Sequence, residues 1–376
     1  MPLRAFGGVI ALGNPALLWH TERVFADSSG VPKEDMAMLA GFFIEDSGRA
    51  HRIWRPSDGG RFLAPRGVFD GHVVHVVWGE TRDTSSLSDT YVTDLRYATF
   101  DGHSWTPART ILTGRKIWWN ISSRPPLLEN GAIIIVVPAE ETSTSLAHTG
   151  VAILTMLRGE LQTGWISTHG PLPSAVSIAA IPSRGFALAF IGAVIRSHNA
   201  SIDNSIVGAN STDGGRTWTD PYAIETLGDR RADDLRMLTV HGQAHLFWTV
   251  DATAAGDSAV LAHRVSTNGV VWHDDRSVRF ARSINALDVV AFDDAITAIA
   301  RDAHSDSLVV SAWTGTSPVA LSYPALQDAR FFPHLTAVGR DSLALLWGVE
   351  RLHAYPLFPS LPVPALVTSR RAVQCR

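Results

Sequence analysis

Six short apolar runs recur along this chain, and their spacing constrains its fold more than any other feature. They are Val73–Trp78, Ile133–Val137, Phe186–Phe190, Ala244–Trp248, Ile296–Ala300 and Leu343–Trp347, with starts 60, 53, 58, 52 and 47 residues apart. Each follows a turn-type pair: Asp70-Gly71, Asn130-Gly131, Arg184-Gly185, His241-Gly242, Asp293-Asp294 or Arg340-Asp341. An apolar run after a tight turn reads as the second strand of a hairpin. Helical stripes of 3.6-residue period are hard to find. A unit of about 50 residues holding four short strands is one blade of a β-propeller.

The unit count predicts an all-β, six-bladed propeller, with seven blades as the alternative, in one domain over residues 1–376. Only 33 residues follow Leu343, too few to complete a sixth blade and leave a tail. Residues 36–62 look like a spare hairpin ahead of the first full unit. The expected division is therefore 1–62 as N-terminal strands closing the last blade, 63–360 as blades and 361–376 as tail. Closure of that kind removes the unpaired edge that an open sheet must otherwise protect.

Hydrophobic residues make up 45% of the chain, enough for a sizeable core. The formal net charge is −4 and no run of five like charges occurs, so neither a nucleic-acid footprint nor an acidic tail is present. Cys375 is the only cysteine, which excludes an intrachain disulfide and a cysteine metal site. No metal or other cofactor is expected. With no apolar stretch of 18 residues, no membrane-spanning helix is expected either, and the chain reads as soluble. The start, MPLRAFGGVIALGNPALLW, is interrupted by Gly-Gly and Asn-Pro and lacks a small-x-small cleavage site. It reads as a first strand, with a weak export signal as the other reading, so a cytoplasmic and an exported location both stay open.

Ser211, Asp213, Gly215 and Trp218 fit the pattern S-x-D-x-G-x-x-W. Such a segment is a hairpin in which the carboxylate accepts turn N–H bonds, glycine takes positive φ and the indole tucks beneath. Shortened versions stand at Thr99–Trp105 and Ser266–Trp272, each near the end of its unit. The motif is structural rather than catalytic.

With these boxes the chain resembles the sialidase (neuraminidase) superfamily of Asp-box, or BNR-repeat, propellers. Residues 61–111 are similar to that family's first blade, and FFPHLTAVGRDSLALLWGVE (331–350) to the segment bearing its catalytic tyrosine. The resemblance implies a glycoside-acting enzyme that clamps a carboxylate with three arginines, attacks through a tyrosine activated by a glutamate and uses a loop aspartate as acid/base. It places Asp89 at the acid/base position, Asp234 near the glutamate, and Arg61 or Arg66 at the first clamp arginine. Glu225 is a second candidate for the glutamate.

Three departures stand against the familiar reaction. No arginine ends the strand holding Leu246–Thr249, and Ser305-Asp306-Ser307 stand where the third clamp arginine is expected, with Arg301 near. Phe332 occupies the tyrosine position, and a phenyl ring cannot attack.

Residues entering the innermost strand of each blade converge on the central channel. Those positions carry Arg66, Arg124, Arg236, Asp288 and His334, which predicts an arginine-rich rim for an anionic small molecule or sugar acid. Trp118 and Trp119 read as core, or alternatively as a sugar-stacking face. Three functions stay open: a superfamily enzyme of altered substrate choice, a non-catalytic propeller binding a glycan or protein, and a different reaction with His334 as base.

Overall fold

The computed structural model describes side chains between residues 66 and 300, except in stretches such as 81–91, 142–147, 193–203, 252–258 and 275–286, and elsewhere the backbone of strands up to residue 368. Every described regular element is a β-strand, and all pairings are antiparallel. The arrangement is a β-propeller.

Strand pairing groups the chain into consecutive sheets. The first joins Arg4–Ala11, Ala16–Ala26, Pro32–Phe43 and His51–Trp54. The second runs Arg61–Phe69, Val74–Thr81, Asp94–Phe100, Arg109–Leu112. In the third, Arg115–Trp118 and Leu127–Glu129 share the inner side of Ala132–Glu141, followed by His148–Leu157 and Glu160–Ser167. The fourth runs Ala175–Ile181, Gly185–Ile195, Ile202–Ser211, Tyr222–Gly228, and the fifth Ala232–Val240, Gln243–Val250, Ala259–Ser266, with His273–Asp274 and Val278–Phe280 sharing its outer edge. Ile284–Phe292, Ala295–Asp302, Leu308–Trp313 and Pro318–Tyr323 form the sixth, and His334–Val338, Ser342–Trp347 and Ala365–Thr368 the seventh.

The second to fifth sheets carry described side chains throughout most of their length, and they make four blades where six, or alternatively seven, were expected. Two further expectations change. The N-terminal strands pair with one another and not with the last sheet, because four strands of their own satisfy their backbone groups. Within 361–376, expected as a tail, Ala365–Thr368 pairs with Ser342–Trp347.

The apolar runs are continuous rather than alternating because each sheet is buried on both faces. In Ala132–Glu141, Ile133, Ile135 and Val137 pack toward the second sheet with Val77, Leu95 and Ile111, while Ile134 and Val136 pack toward the fourth with Ile178, Leu188 and Phe190. The same division holds one sheet on, where Leu235, Leu246 and Trp248 meet Ile181, Ala189 and Ile206. Phe247 and Leu261 face Leu287, Ile296 and Ala298 of the sixth sheet. Trp119 is fully buried in the first of these layers, so the core reading holds for it, and Trp118 is half-buried.

Candidate functional site: a buried arginine and aspartate cluster

The innermost strands of three sheets share one irregularity. Their register against the second strand shifts between Leu63 and Arg66, between Ala232 and Leu235, and between Asn285 and Asp288. A bulge re-aims the side chains beside it, and the residues at these bulges are Arg66, Asp234, Arg236 and Asp288. Arg124 joins them from the segment leading into Leu127–Glu129.

Asp234 is the centre of the cluster. Its Oδ1 accepts from Arg124 Nη2, from Arg236 Nη1 at 2.7 Å and from the Leu235 amide at 2.9 Å; its Oδ2 accepts from the Leu287 amide at 2.9 Å. Arg236 reaches the other way as well, from Nε to Asp288 Oδ1 at 3.2 Å. Arg124 Nη2 and Arg236 Nη1 also donate to the Leu235 carbonyl, at 2.6 and 3.1 Å. Groups from the segment before Leu127–Glu129, from the fifth sheet and from the sixth therefore meet around one carboxylate, and Arg66 of the second sheet stands within electrostatic reach of Arg124 and Asp288.

These groups are buried, not on an open rim as the sequence suggested. Arg66 is 1% exposed, Asp234 4% and Arg236 6%, and the Arg124 side chain is 9% exposed. The bulges explain the difference, since they turn the side chains in among the inner strands. Burial and the neighbouring Arg124 push the Arg66 guanidinium down to about 9, with Asp288 opposing. Burial also lowers Arg124, against Asp234 and Asp288. Burial lifts the Asp234 carboxyl to about 6, against the pull of Arg124 and the two amides. Arg124 Nε is buried and has no hydrogen-bond partner.

Among the described residues, three guanidinium groups, of Arg66, Arg124 and Arg236, lie with the carboxylates of Asp234 and Asp288. Guanidinium forks match carboxylates geometrically, which is how Arg124 and Arg236 are held. Both Asp234 oxygens are occupied by donors, which makes that residue a holder of arginines, and among the described residues no nucleophile stands in the cluster.

A second carboxyl pair lies beside it and was missed in the sequence. Asp233 is hydrogen-bonded to Asp251, and burial together with Asp251 lifts it to about 6, against Arg231, whose Nε stands 3.0 Å from Asp233 Oδ1. The Asp251 amide donates to the Arg231 carbonyl at 2.9 Å, which brings the two chain segments together. The Asp233-Asp234 doublet was the one available signal.

Of the other expected site residues, Asp89 and Phe332 lie outside the described residues. Arg61 and His334 stand on the first positions of inner strands, with side chains outside the described residues. Arg301 likewise has its strand position alone described. Glu225 is bound to Arg264 Nη2 at 2.7 Å, far from the cluster in role, as part of an ion pair between outer strands.

The turn at 211–218 is a closed hydrogen-bond unit. Asp213 Oδ1 accepts from the Arg216 and Thr217 amides at 3.0 and 2.9 Å, Ser211 Oγ accepts from the Gly215 amide at 2.8 Å, and Trp218 Nε1 donates to the Gly215 carbonyl at 3.1 Å. Gly215 has φ 88°. At 266–272, Asn268 Oδ1 takes the Asp213 role and accepts from the Val270 and Val271 amides at 2.9 and 2.8 Å. Asp101 does the same for the Ser104 amide at 2.7 Å.

No family model matches the sequence, and no curated protein is similar to it. Solved structures share the fold at low identity. A protein of unknown function from Dyadobacter fermentans DSM 18053 is 12% identical, with a TM-score of 0.50, over 84% of this chain and 95% of that one. The Hadza microbial sialidase Hz136 is 13% identical over 93% of this chain and 63% of its own, with a TM-score of 0.49. The α-L-arabinofuranosidase Arb93A from Fusarium graminearum is 9% identical over 79% and 91%, also with a TM-score of 0.49. The likeness is one of fold.

Proposed function

We propose that this chain is a propeller that binds a glycan bearing an acidic group, or an anionic sugar, at the arginine cluster around its axis. The observation that carries the reading is the gathering of three buried arginines from separate parts of the chain, with Arg124 and Arg236 bound to Asp234, Arg236 also to Asp288, and Arg66 beside Arg124. Arg66, Arg124 and Arg236 are the binding groups, and Asp234 and Asp288 hold them in place. The segments at 211–218 and 266–272 are read as Asp boxes with a structural role.

Binding is favoured over conventional sialidase turnover. Phe332 offers no hydroxyl for a covalent intermediate, and Asp234, fully hydrogen-bonded, supplies no free base to activate one. A non-catalytic glycan- or protein-binding propeller fits the same facts.

A thermal-shift panel of sugar acids and their neutral parents, at low and high salt, tests the reading. Acids should stabilise the protein and neutral parents should not. The effect should shrink as salt screens the charges and disappear in Arg124→Gln, while an activated sialoside stays intact. Equal effects of acids and neutral sugars would overturn the assignment, and rapid sialoside hydrolysis would overturn the non-sialidase part.

A further inference from the structure

The bulge between Ala232 and Leu235 sets two residues, Asp233 and Asp234, against the single Thr249 of the facing strand, since Ala232 pairs with Val250 and Leu235 with Trp248. Asp234 turns to the arginines, whereas Asp233 is hydrogen-bonded to Asp251, the residue that follows the facing strand. Two carboxyl groups form such a bond only while one of them keeps its proton, because two carboxylates bring acceptors alone. That proton is a structural part of the joint, which the Asp251 amide completes by donating to the Arg231 carbonyl at 2.9 Å. Among the described residues, the charged groups facing Asp233 are Arg231 and Asp234 on its own segment and Asp251 on the next; behind Asp234 stand Arg124, Arg236 and Asp288. The Arg231 side chain is 79% exposed, so solvent screens its pull on Asp233. Thr249 is 0% exposed, and its hydroxyl has no hydrogen-bond partner.

We infer that Asp233, Asp251 and Thr249 form a proton-operated latch: in acid the two carboxyls share one proton and hold the strand ends together, and near neutral pH that proton leaves to solvent, the two carboxylates part and Thr249 donates to Asp233. A buried hydroxyl without a partner is costly, and the ionised state gives this one an acceptor. Burial and the Asp251 bond lift Asp233 to about 6 from its ordinary 3.8. A carboxyl raised in the folded chain contributes stability that is complete below about pH 4 and is lost as pH rises through about 6. Because Asp234 is the next residue, the bulge that carries it is pinned more firmly in acid than at neutral pH. The latch does not depend on what the arginines bind.

Native-state hydrogen exchange of the Asp251 amide, corrected for the intrinsic pH dependence of exchange, reads the latch directly. Between about pH 5 and about pH 8 its protection should fall at least about tenfold. Asp233→Asn has no proton to lose, and its side-chain amide still donates to Asp251, so its protection should be the same at both pH values. Thr249→Val removes the hydroxyl and should move the midpoint of the native change upward, because the ionised state loses its donor. Unchanged protection in the native chain would overturn the latch, and so would a fall that survives in Asp233→Asn, which would belong to Asp234. An unmoved midpoint in Thr249→Val would overturn the part assigned to that residue. Should Asp233→Asn not fold, carboxyl carbon NMR of the native chain with labelled aspartate carries the test. Two carboxyls that share a proton ionise in two separated steps, and ionisation of all aspartates in the ordinary carboxylate range would overturn the proposal.

Discussion

At Asp234 four donors converge on one carboxylate that is only 4% exposed. Removing it deprives the buried Arg124 of its one described carboxylate and Arg236 of one of two, so Asp234→Ala should cost about 3 kcal/mol in chemical denaturation. Asp234→Asn keeps the shape and should cost less; equal stability of all three proteins would sink the assigned role. A different carboxylate responds to acid. Asp70 accepts from the His72 and Val73 amides at 2.8 Å and pairs with His75 at 2.9 Å, while His75 Nδ1 meets the Tyr97 hydroxyl at 2.7 Å. These hydrogen bonds hold Asp70 down to about 2 from its ordinary 3.8. Its contribution to stability is complete above about pH 4 and drains away as pH falls through about 2. Melting followed from pH 5 to pH 2 should show a slope that Asp70→Asn flattens, and identical slopes would refute the link. Both sites show what single residues reveal in sequence. Arg66, Arg236 and Asp288 were legible from their place at the entry to the innermost strand of a unit. Asp251 was not, because its partner Asp233 lies on a neighbouring strand and only the pairing of Ala232 with Val250 brings them together.

One contact recurs at the level of strands and turns: the outer strand of a blade grips the outermost turn of the next. Arg109 donates to the Gly159 carbonyl at 3.1 Å and reaches Met156 Sδ at 3.2 Å. Tyr222 donates to the Gly269 carbonyl and accepts from Trp272 Nε1 at 3.3 Å. Between these two, Trp218 packs onto the third sheet, where a methyl group at Gly164 would lie 3.8 Å from its Nε1. Trp218→Ala should therefore weaken a joint between blades. Because the indole is half-buried, about 2–3 kcal/mol is expected, below the range for a fully buried aromatic; a neutral change in melting would remove the joint. Gly79 makes a tighter demand, since a Cβ there would stand 2.6 Å from Val92 Cγ1 and 2.8 Å from Trp119 Cδ1. Val92 and Trp119 are 1% and 0% exposed and have nowhere to go. Gly79→Ala should cost about 1–3 kcal/mol through overpacking, and unchanged stability would contradict that contact. The turns were legible because their chemistry is local. The short strand Tyr91–Val92, which pairs with Ile117 and Trp118 to bridge two units, sits in a polar stretch without periodicity and left no such signal.

For the whole molecule, repeat spacing revealed the architecture but misjudged its ends. The first sheet leaves little signal because its opening strand is interrupted by Gly-Gly and Asn-Pro and its later strands lack the turn-plus-run signature of the other units. The last was misjudged because 33 residues are too few for a full blade, yet they suffice for the third strand of a smaller sheet. The innermost strand Arg4–Ala11 lies beside Arg61–Phe69 on one side and His334–Val338 on the other, with no hydrogen-bond ladder to either among the described residues. We read this as closure of the ring by packing of a complete first blade, in place of a strand shared between the two ends. Sheets buried on both faces depend on their neighbours. Deleting residues 1–56 would then bare one face of the second sheet and one of the seventh, and the whole chain should lose its single cooperative melting transition and self-associate. Circular dichroism melting with light scattering would follow it, and a truncated chain that melts as sharply and as high as the full one would show that the first sheet lies outside the ring.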